Sequence, residues 1–251
     1  METLDLSNNT ALEALNCERN QLTTLDLSDN TALEAFSCPY NQLTTLDFSN
    51  NTTLKNLSCY SNQLTSINIS GCNSLRNIDV SNNKLKKLNV DSCTELSTLY
   101  CDYNEITSLD VRNNTSLTYL ECNNIQLENI NLDGCAILVI LRVNDNNLQE
   151  LNVDSCKNLT TLDCRNNYLT EKPQVDVNNL CFTMCYEPRK AKITPTPTTR
   201  PTVTTAPSRT NTSNNTSRTN TNTNTSRTNT NTNTSRTNTN NRTTANNKRL
   251  T

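Results

Sequence analysis

Histidine and tryptophan are absent from this 251-residue sequence, and glycine occurs only twice. Without histidine, a serine or cysteine nucleophile lacks its usual base, and zinc lacks one of its common ligands. Two glycines, Gly71 and Gly134, are too few for a phosphate-cradling loop. No stretch approaches the roughly 20 apolar residues that cross a bilayer. We therefore expect a protein that is not an enzyme, with no cofactor, no metal and no membrane span.

Apolar residues make up only 33% of the chain, and they are concentrated before its C-terminal quarter. From residue 193 onward the sequence is almost entirely Thr, Asn, Ser, Arg and Pro. Residues 1–188 hold 11 basic and all 24 acidic side chains, whereas residues 189–251 hold the other 11 basic side chains and no acid. The composition predicts an acidic folded part, on which nucleic acid is unlikely to bind, followed by a basic disordered tail.

The folded part repeats every 21 residues, with the consensus T-x-L-x-x-L-x-C-x-x-N-x-L-T-x-L-D-L-S-x-N. The units begin at Thr10, Thr31, Thr52, Asn73, Thr94, Thr115, Ala136 and Lys157. Alternation in Leu15-Asn16-Cys17 predicts a strand with Leu15 and Cys17 inward, and Leu25-Asp26-Leu27 predicts a second strand across the coil. One unit cannot bury its own apolar face, so stacked units are expected to share a continuous core.

The motif that runs from Leu12 through Cys17 and Asn20 to Leu22 resembles a leucine-rich repeat. The 21-residue length and the strand cysteine resemble bacterial internalin-type repeats that carry a cysteine ladder. The resemblance covers about residues 1–177 and implies a mainly β solenoid, a leucine-rich repeat array of about eight 21-residue coils. We expect a C-terminal cap at 178–190 and a disordered C-terminal tail at 191–251.

The strand cysteine recurs in six of eight units and is replaced only by valine, in the column Cys17, Cys38, Cys59, Val80, Cys101, Cys122, Val143 and Cys164. That exchange fits a small buried hydrophobic residue and does not fit a metal ligand or a nucleophile. Disulfides are harder to exclude, because stacked coils bring cysteines to within about 5 Å; parallel side chains nevertheless disfavour the required torsion. We interpret the column as reduced thiols. Cys181 and Cys185 lie outside it and could pair with each other or with Cys164.

Two further columns contain asparagine. One alternates it with cysteine, as Asn30, Asn51, Cys72, Cys93, Asn114, Cys135 and Cys156, which predicts a narrow site where a small side chain meets backbone groups. The other consists of Asn20, Asn41, Asn62, Asn83, Asn104, Asn146 and Asn167, which we expect to bond the backbone of a neighbouring coil. The sixth unit has Ile125 in that column, and we predict that it is the weakest interior coil.

The resemblance implies that ligands contact the outward side chains of the concave strand face. Tyrosine is favoured at interfaces, and five of the seven tyrosines map there, with acidic neighbours. The predicted ligand-binding residues are Tyr40, Tyr60, Asp79, Tyr100, Asp102, Tyr103, Tyr119 and Glu121. We expect Tyr100, Tyr103 and Tyr119 to form one patch and Tyr40 and Tyr60 another. The alternative is that tyrosine simply suits exposed strands.

Two functions remain open at this point. The first is a non-enzymatic leucine-rich-repeat module that binds a protein or a glycan, in a surface or secreted adhesin-like protein. The second is an intracellular scaffold or effector whose basic tail binds anionic partners, with nucleic acid a weak candidate. No signal peptide precedes the repeats, which favours the intracellular scaffold. The Thr/Pro-rich segment and the internalin-type repeat favour the adhesin-like protein, and in that case we expect that the N-terminus is truncated. The localisation is accordingly either extracellular or cytoplasmic.

Overall fold

The computed structural model describes residues 1–175 and 183–189. It contains thirteen strands of three residues each, and no α-helix is present among these residues. The strands are β1 (Ala14–Asn16), β2 (Ala35–Ser37), β3 (Thr45–Asp47), β4 (Asn56–Ser58), β5 (Ser66–Asn68), β6 (Asn77–Asp79), β7 (Thr98–Tyr100), β8 (Ser108–Asp110), β9 (Tyr119–Glu121), β10 (Asn129–Asn131), β11 (Ile140–Arg142), β12 (Thr161–Asp163) and β13 (Thr183–Cys185).

A parallel sheet of nine strands forms one side of the solenoid, in the order β1-β2-β4-β6-β7-β9-β11-β12-β13. Up to β12, each strand pairs with the residues 21 positions further along the chain, as Leu57 does with Ile78. Equivalent positions of successive repeats therefore lie side by side and form straight columns across the sheet. This architecture confirms the predicted β solenoid of stacked 21-residue coils.

The second row of strands is shorter than the sequence predicts. Among the described residues only two pairs form, β3 with β5 and β8 with β10. The sequence predicts a strand of this row at Leu25-Asp26-Leu27, but that segment lies outside any strand, as does the equivalent segment 88–90. The aspartate at this position accepts a bond from a backbone N–H two residues on, as Asp26 Oδ1 does from Ser28 at 2.9 Å. The same bond forms inside the second row, where Asp47 of β3 accepts from Ser49 at 2.8 Å, so it is compatible with both states.

The core is a continuous stack of leucines and cysteines along the inside of the coils. The centre of each strand, such as Leu57 or Leu99, points inward, and its flanking residues point outward. Two phenylalanines, Phe36 and Phe48, pack edge to face at 5.0 Å between ring centroids. Burial of each large side chain contributes about 1.5–3 kcal/mol, so the stack supplies most of the stabilisation of the solenoid.

Most of the cysteine ladder consists of buried free thiols, as predicted. Five cysteines of the strand column are buried and free, namely Cys17, Cys38, Cys59, Cys101 and Cys122, and so are the four of the second column. Cys164 is buried as well. Burial raises the pKa of the Cys59 thiol above its ordinary value, so Cys59 stays protonated at neutral pH. The two valines of the column are equally buried, which shows that the position requires a small apolar side chain.

In the second column cysteine and asparagine make the same contacts. Asn51 Nδ2 donates to the carbonyl oxygens of Leu27 at 3.2 Å and Asn30 at 2.8 Å. Cys72 Sγ points to the equivalent oxygens one coil later, Phe48 O at 3.3 Å and Asn51 O at 3.6 Å. The predicted meeting of a small side chain with backbone groups is confirmed. Asparagine in this column lowers the stability of the fold, because the Oδ1 atoms of Asn51 and Asn114 are buried without a hydrogen-bond partner.

The asparagine column links neighbouring coils, as expected. Asn62 Oδ1 accepts the Leu43 N–H at 3.1 Å, and its Nδ2 donates to the carbonyl oxygens of Cys38 and Cys59, both at 3.0 Å. The same set recurs around Asn41, Asn83 and Asn104. Each asparagine therefore satisfies three buried backbone groups that would otherwise lack partners.

The sixth coil departs from this pattern in its backbone. Ile125 is fully buried, and no partner for the equivalent donor, the Ile106 N–H, is found in the part of the chain that the structure describes. The next residue, Gln126, has a φ of 66°, which none of its described equivalents shares. Asn124 is exposed and does not replace the missing asparagine. The weakness of this coil stays a prediction. The structural feature that accounts for it is the Ile106 N–H, which lacks the asparagine acceptor of its equivalents.

Two predictions fall wholly or partly outside the described residues. The tail at 191–251 lies outside them, as do Cys181 and the Cys185 side chain, so the pairing of these two cysteines stays an open alternative. Within the predicted cap at 178–190, β13 adds one strand to the sheet through Thr183–Cys185. Arg189 also contacts the body of the solenoid, with Nη2 3.3 Å from Asp145 Oδ1.

Candidate functional site

The outward side chains of the nine-stranded sheet, with the residues that follow each strand, form the strand face. Asp79, Tyr100, Glu121 and Arg142 stand side by side on it, because β6, β7, β9 and β11 are neighbours in register. Four of the predicted ligand-binding residues, these first three and Tyr119, therefore lie on adjoining strands. The 21-residue period alone is sufficient to bring them together.

Tyr100 and Tyr119 form the centre of this region, with ring centroids 4.9 Å apart. The Arg142 guanidinium lies 5.6 Å from the centroid of the Tyr119 ring, and its Nη1 is 2.9 Å from Glu121 Oε2. The Tyr119 hydroxyl donates to Glu121 Oε2 and accepts from Arg142 Nη1, both at 2.5 Å. Burial and the Glu121 bond raise the pKa of Tyr119, which keeps the hydroxyl protonated. We call these four residues the tyrosine–arginine cluster.

Asp102 lies two residues beyond Tyr100 and is only 8% exposed. Its Oδ1 accepts the Asn123 N–H at 2.6 Å. Burial raises the pKa of Asp102 to about 6, and the nearby Glu121 and Asp79 carboxylates act in the same direction. One coil later, Asn123 Oδ1 accepts the Asn144 N–H at 3.0 Å in the same way. The carboxylate of Asp102 thus occupies a position where a neutral amide serves equally well.

Tyr40 and Tyr60 form the second predicted patch. Their rings meet edge to face with centroids 5.2 Å apart, and the Arg19 guanidinium lies 5.1 Å from the centroid of Tyr40. Arg19 precedes Tyr40 by 21 residues, so it occupies the same column in the adjacent coil. Arg19 is not among the predicted ligand-binding residues, although its place 21 residues before Tyr40 identifies it from the sequence.

Tyr103 does not join Tyr100 and Tyr119. It is 58% exposed, and no aromatic ring contacts it among the described residues. Tyr40 and Tyr103 both have left-handed backbone, with φ of 55° and 53°. They belong to a column in which all eight residues from Arg19 to Asn166 are left-handed. That conformation disfavours bulky side chains and costs about 1–3 kcal/mol, so exposed tyrosines here are unexpected on stability grounds alone.

Asp79 lies beside Tyr100 at the edge of the tyrosine–arginine cluster. Its Oδ1 accepts the Ser81 N–H at 3.0 Å, and its side chain is half-buried. The two tyrosine patches are therefore separated by the coil that carries Asp79, as predicted. The cluster offers aromatic surface, one cation and acidic oxygens within a few ångströms of one another, which is typical of a polar recognition surface.

The described residues contain no group of three or more Cys, Asp or Glu side chains placed to hold a metal ion. Nor do they form a helix long and apolar enough to cross a membrane.

A leucine-rich-repeat family model matches residues 158–180. No curated protein matches the sequence. In fold the chain is similar to InlF, an internalin of Listeria monocytogenes, with 19% identity over 66% of this chain and 52% of InlF and a TM-score of 0.58. It is also similar to the functional domain of InlJ from Listeria monocytogenes, which includes a cysteine ladder, with 24% identity over 72% of this chain and 51% of that chain and a TM-score of 0.49.

A further similarity is to TLR13 in its complex with ssRNA13, with 21% identity over 73% of this chain and 30% of TLR13 and a TM-score of 0.54. The chain spans about half the length of the two internalin chains and less of TLR13. The stacked parallel coils agree with the leucine-rich-repeat family model and with the fold of InlF. The chain is a leucine-rich-repeat solenoid of 21-residue coils, similar in fold to an internalin, with a ladder of buried cysteines along its core.

Proposed function

We propose that this protein is a non-enzymatic interaction module that binds a protein or a glycan on its strand face. The tyrosine–arginine cluster carries the proposal, because it places two adjoining rings, tilted by 43°, and an ion pair on the strand face. Tyrosine and arginine dominate binding energy at many interfaces, since they offer large area and directed hydrogen bonds. The leucine-rich-repeat fold is in keeping with this role but does not identify the ligand.

We further propose that the protein acts at a cell surface or outside the cell, as an adhesin-like protein. The internalin-type coils and the Thr/Pro-rich sequence after residue 193 support this location. The competing proposal, an intracellular scaffold bound through the basic tail, rests on the 11 basic and no acidic side chains of residues 189–251. The two proposals differ in which part of the chain carries the binding.

The test is a binding screen of the full chain against glycans and cell-surface proteins. The double variant Tyr100→Ala/Tyr119→Ala should weaken binding of a strand-face ligand by at least about tenfold, the scale of an aromatic hot spot. Tyr168→Ala, outside the cluster, is the control. Equal binding by the double variant and the parent for every ligand would refute the proposal. Binding by a peptide of residues 191–251 alone would instead favour the scaffold.

A further inference from the structure

The N-terminal half of the strand face contains a depression that lies away from the tyrosine–arginine cluster. It has a volume of about 400 Å³ and crosses β1, β2 and β4. Its lining consists of Ala14, Leu15, Asn16, Ala35, Phe36, Ser37, Asn56 and Ser58. The depth follows from side-chain size, because Ala14 and Ala35 occupy the column that holds Tyr119 and Ile140 further along the sheet. The volume falls within the range of about 300–1,000 Å³ that is usual for small-ligand sites.

The lining contains no charged side chain, yet several of its polar groups have no internal partner. The hydroxyls of Ser37 and Ser58 and the Nδ2 of Asn56 make no hydrogen bond within the described residues, whereas Asn56 Oδ1 accepts from Asn77 at 2.8 Å. In the tyrosine–arginine cluster, by contrast, the side chains of Tyr119, Glu121 and Arg142 bond one another. A ligand can therefore form hydrogen bonds with these groups without breaking hydrogen bonds inside the protein.

Apolar and aromatic surface complete the depression. Leu15 and the alanines provide a floor without polar atoms, and Leu15 is only half-buried. The Tyr40–Tyr60 pair lies just beyond the strands, since Tyr60 follows Ser58 by two residues along the same coil. A ligand that suits this site has an apolar face, a rim of neutral hydroxyls and no net charge.

We propose that the depression binds a neutral saccharide unit. A pyranose ring has an apolar C–H face that can cover the alanine floor or a tyrosine ring, and hydroxyls that can bond Ser37, Ser58 and Asn56. An apolar peptide side chain would leave the free hydroxyls and amide unpaired, which costs affinity. An anionic sugar would meet no cation in the lining. The inference rests on the proposal that the strand face binds ligands, but it concerns different residues from the cluster.

The test uses the full chain and a panel of immobilised oligosaccharides that end in glucose, galactose, mannose, fucose or N-acetylglucosamine. A second set carries the same sugars with sialic acid or sulfate. Ala35→Leu fills the depression and should weaken binding of a neutral oligosaccharide by at least about tenfold. Ser37→Ala/Ser58→Ala keeps the shape of the depression but removes two hydroxyl donors. It should weaken binding of the same oligosaccharide by about fivefold or more. Thr161→Leu, in the column of Ala35 but on β12, should bind as the parent does.

Several results would overturn the inference. One is that the protein binds no neutral oligosaccharide, another that it prefers the charged set, and a third that it binds equally well as parent and as Ala35→Leu. Loss of binding of a protein ligand in Ala35→Leu would also contradict the inference. The two proposals also fail separately. Binding lost only in Ala35→Leu would support the saccharide site and contradict the cluster, whereas binding lost only in Tyr100→Ala/Tyr119→Ala would do the reverse.

Discussion

Replacing Asp102 with asparagine should stabilise the protein at pH 8 and change its stability little at pH 3.5. In the folded protein burial raises the pKa of Asp102 from 3.8 to about 6. Between these values the folded state holds a proton that the unfolded state has released, so the free energy of unfolding falls as the pH rises through the window. At 1.36 kcal/mol per pKa unit, the full loss above pH 6 is about 3 kcal/mol.

The substitution should remove this loss without removing the hydrogen bond. An amide Oδ1 can accept the Asn123 N–H that Asp102 now accepts at 2.6 Å, as Asn123 does for Asn144 one coil later at 3.0 Å. Asp102→Asn should therefore raise the free energy of unfolding by about 1–3 kcal/mol at pH 8 and by much less below pH 4.

The assay is urea unfolding followed by far-ultraviolet circular dichroism, at constant ionic strength from pH 3.5 to pH 8. The difference between variant and parent is the quantity of interest, because other titrating groups contribute equally to both. Asp29→Asn, which removes the same charge from an exposed position in a distant coil, corrects for net charge. A difference that does not vary with pH, or a variant less stable than the parent at pH 8, would refute the reasoning.

Three further substitutions test the packing of the coils, each by urea unfolding. Cys59→Val should change stability by less than about 1 kcal/mol, because valine already fills this column in two coils, and rapid labelling of native Cys59 by a thiol reagent would contradict its burial. Asn51→Cys should be neutral or stabilising by about 1 kcal/mol, since it removes a buried, unpartnered Oδ1; a clear destabilisation would show that this oxygen has a partner. Ile125→Asn should add about 1 kcal/mol by supplying the acceptor that the Ile106 N–H lacks, and a loss of stability would show that the backbone at Gln126 has adapted to isoleucine.

The fold was predictable from the sequence, because the apolar pattern has two periods that act at different scales. Alternation at two residues placed Leu57 and Cys59 inside, and repetition at 21 residues stacked the coils in register. The exchange of cysteine for valine in one column, and for asparagine in another, was enough to predict buried thiols and backbone-bonding sites. The same periodicity predicted the Tyr40–Tyr60 and Tyr100–Tyr119 neighbours.

The stacking of the coils determines which of the predicted neighbours interact. Tyr103 belongs to the expected patch by sequence but stays apart. Its left-handed backbone is shared with Tyr40, whose ring meets Tyr60, but the residue beside Tyr103 that is equivalent to Tyr60 is Asn123. The depression beside Ala35 is a property of several small side chains on adjacent strands, and no single repeat encodes it. The raised pKa of Asp102 likewise depends on burial between coils, which requires the stacked solenoid to exclude water from that carboxylate.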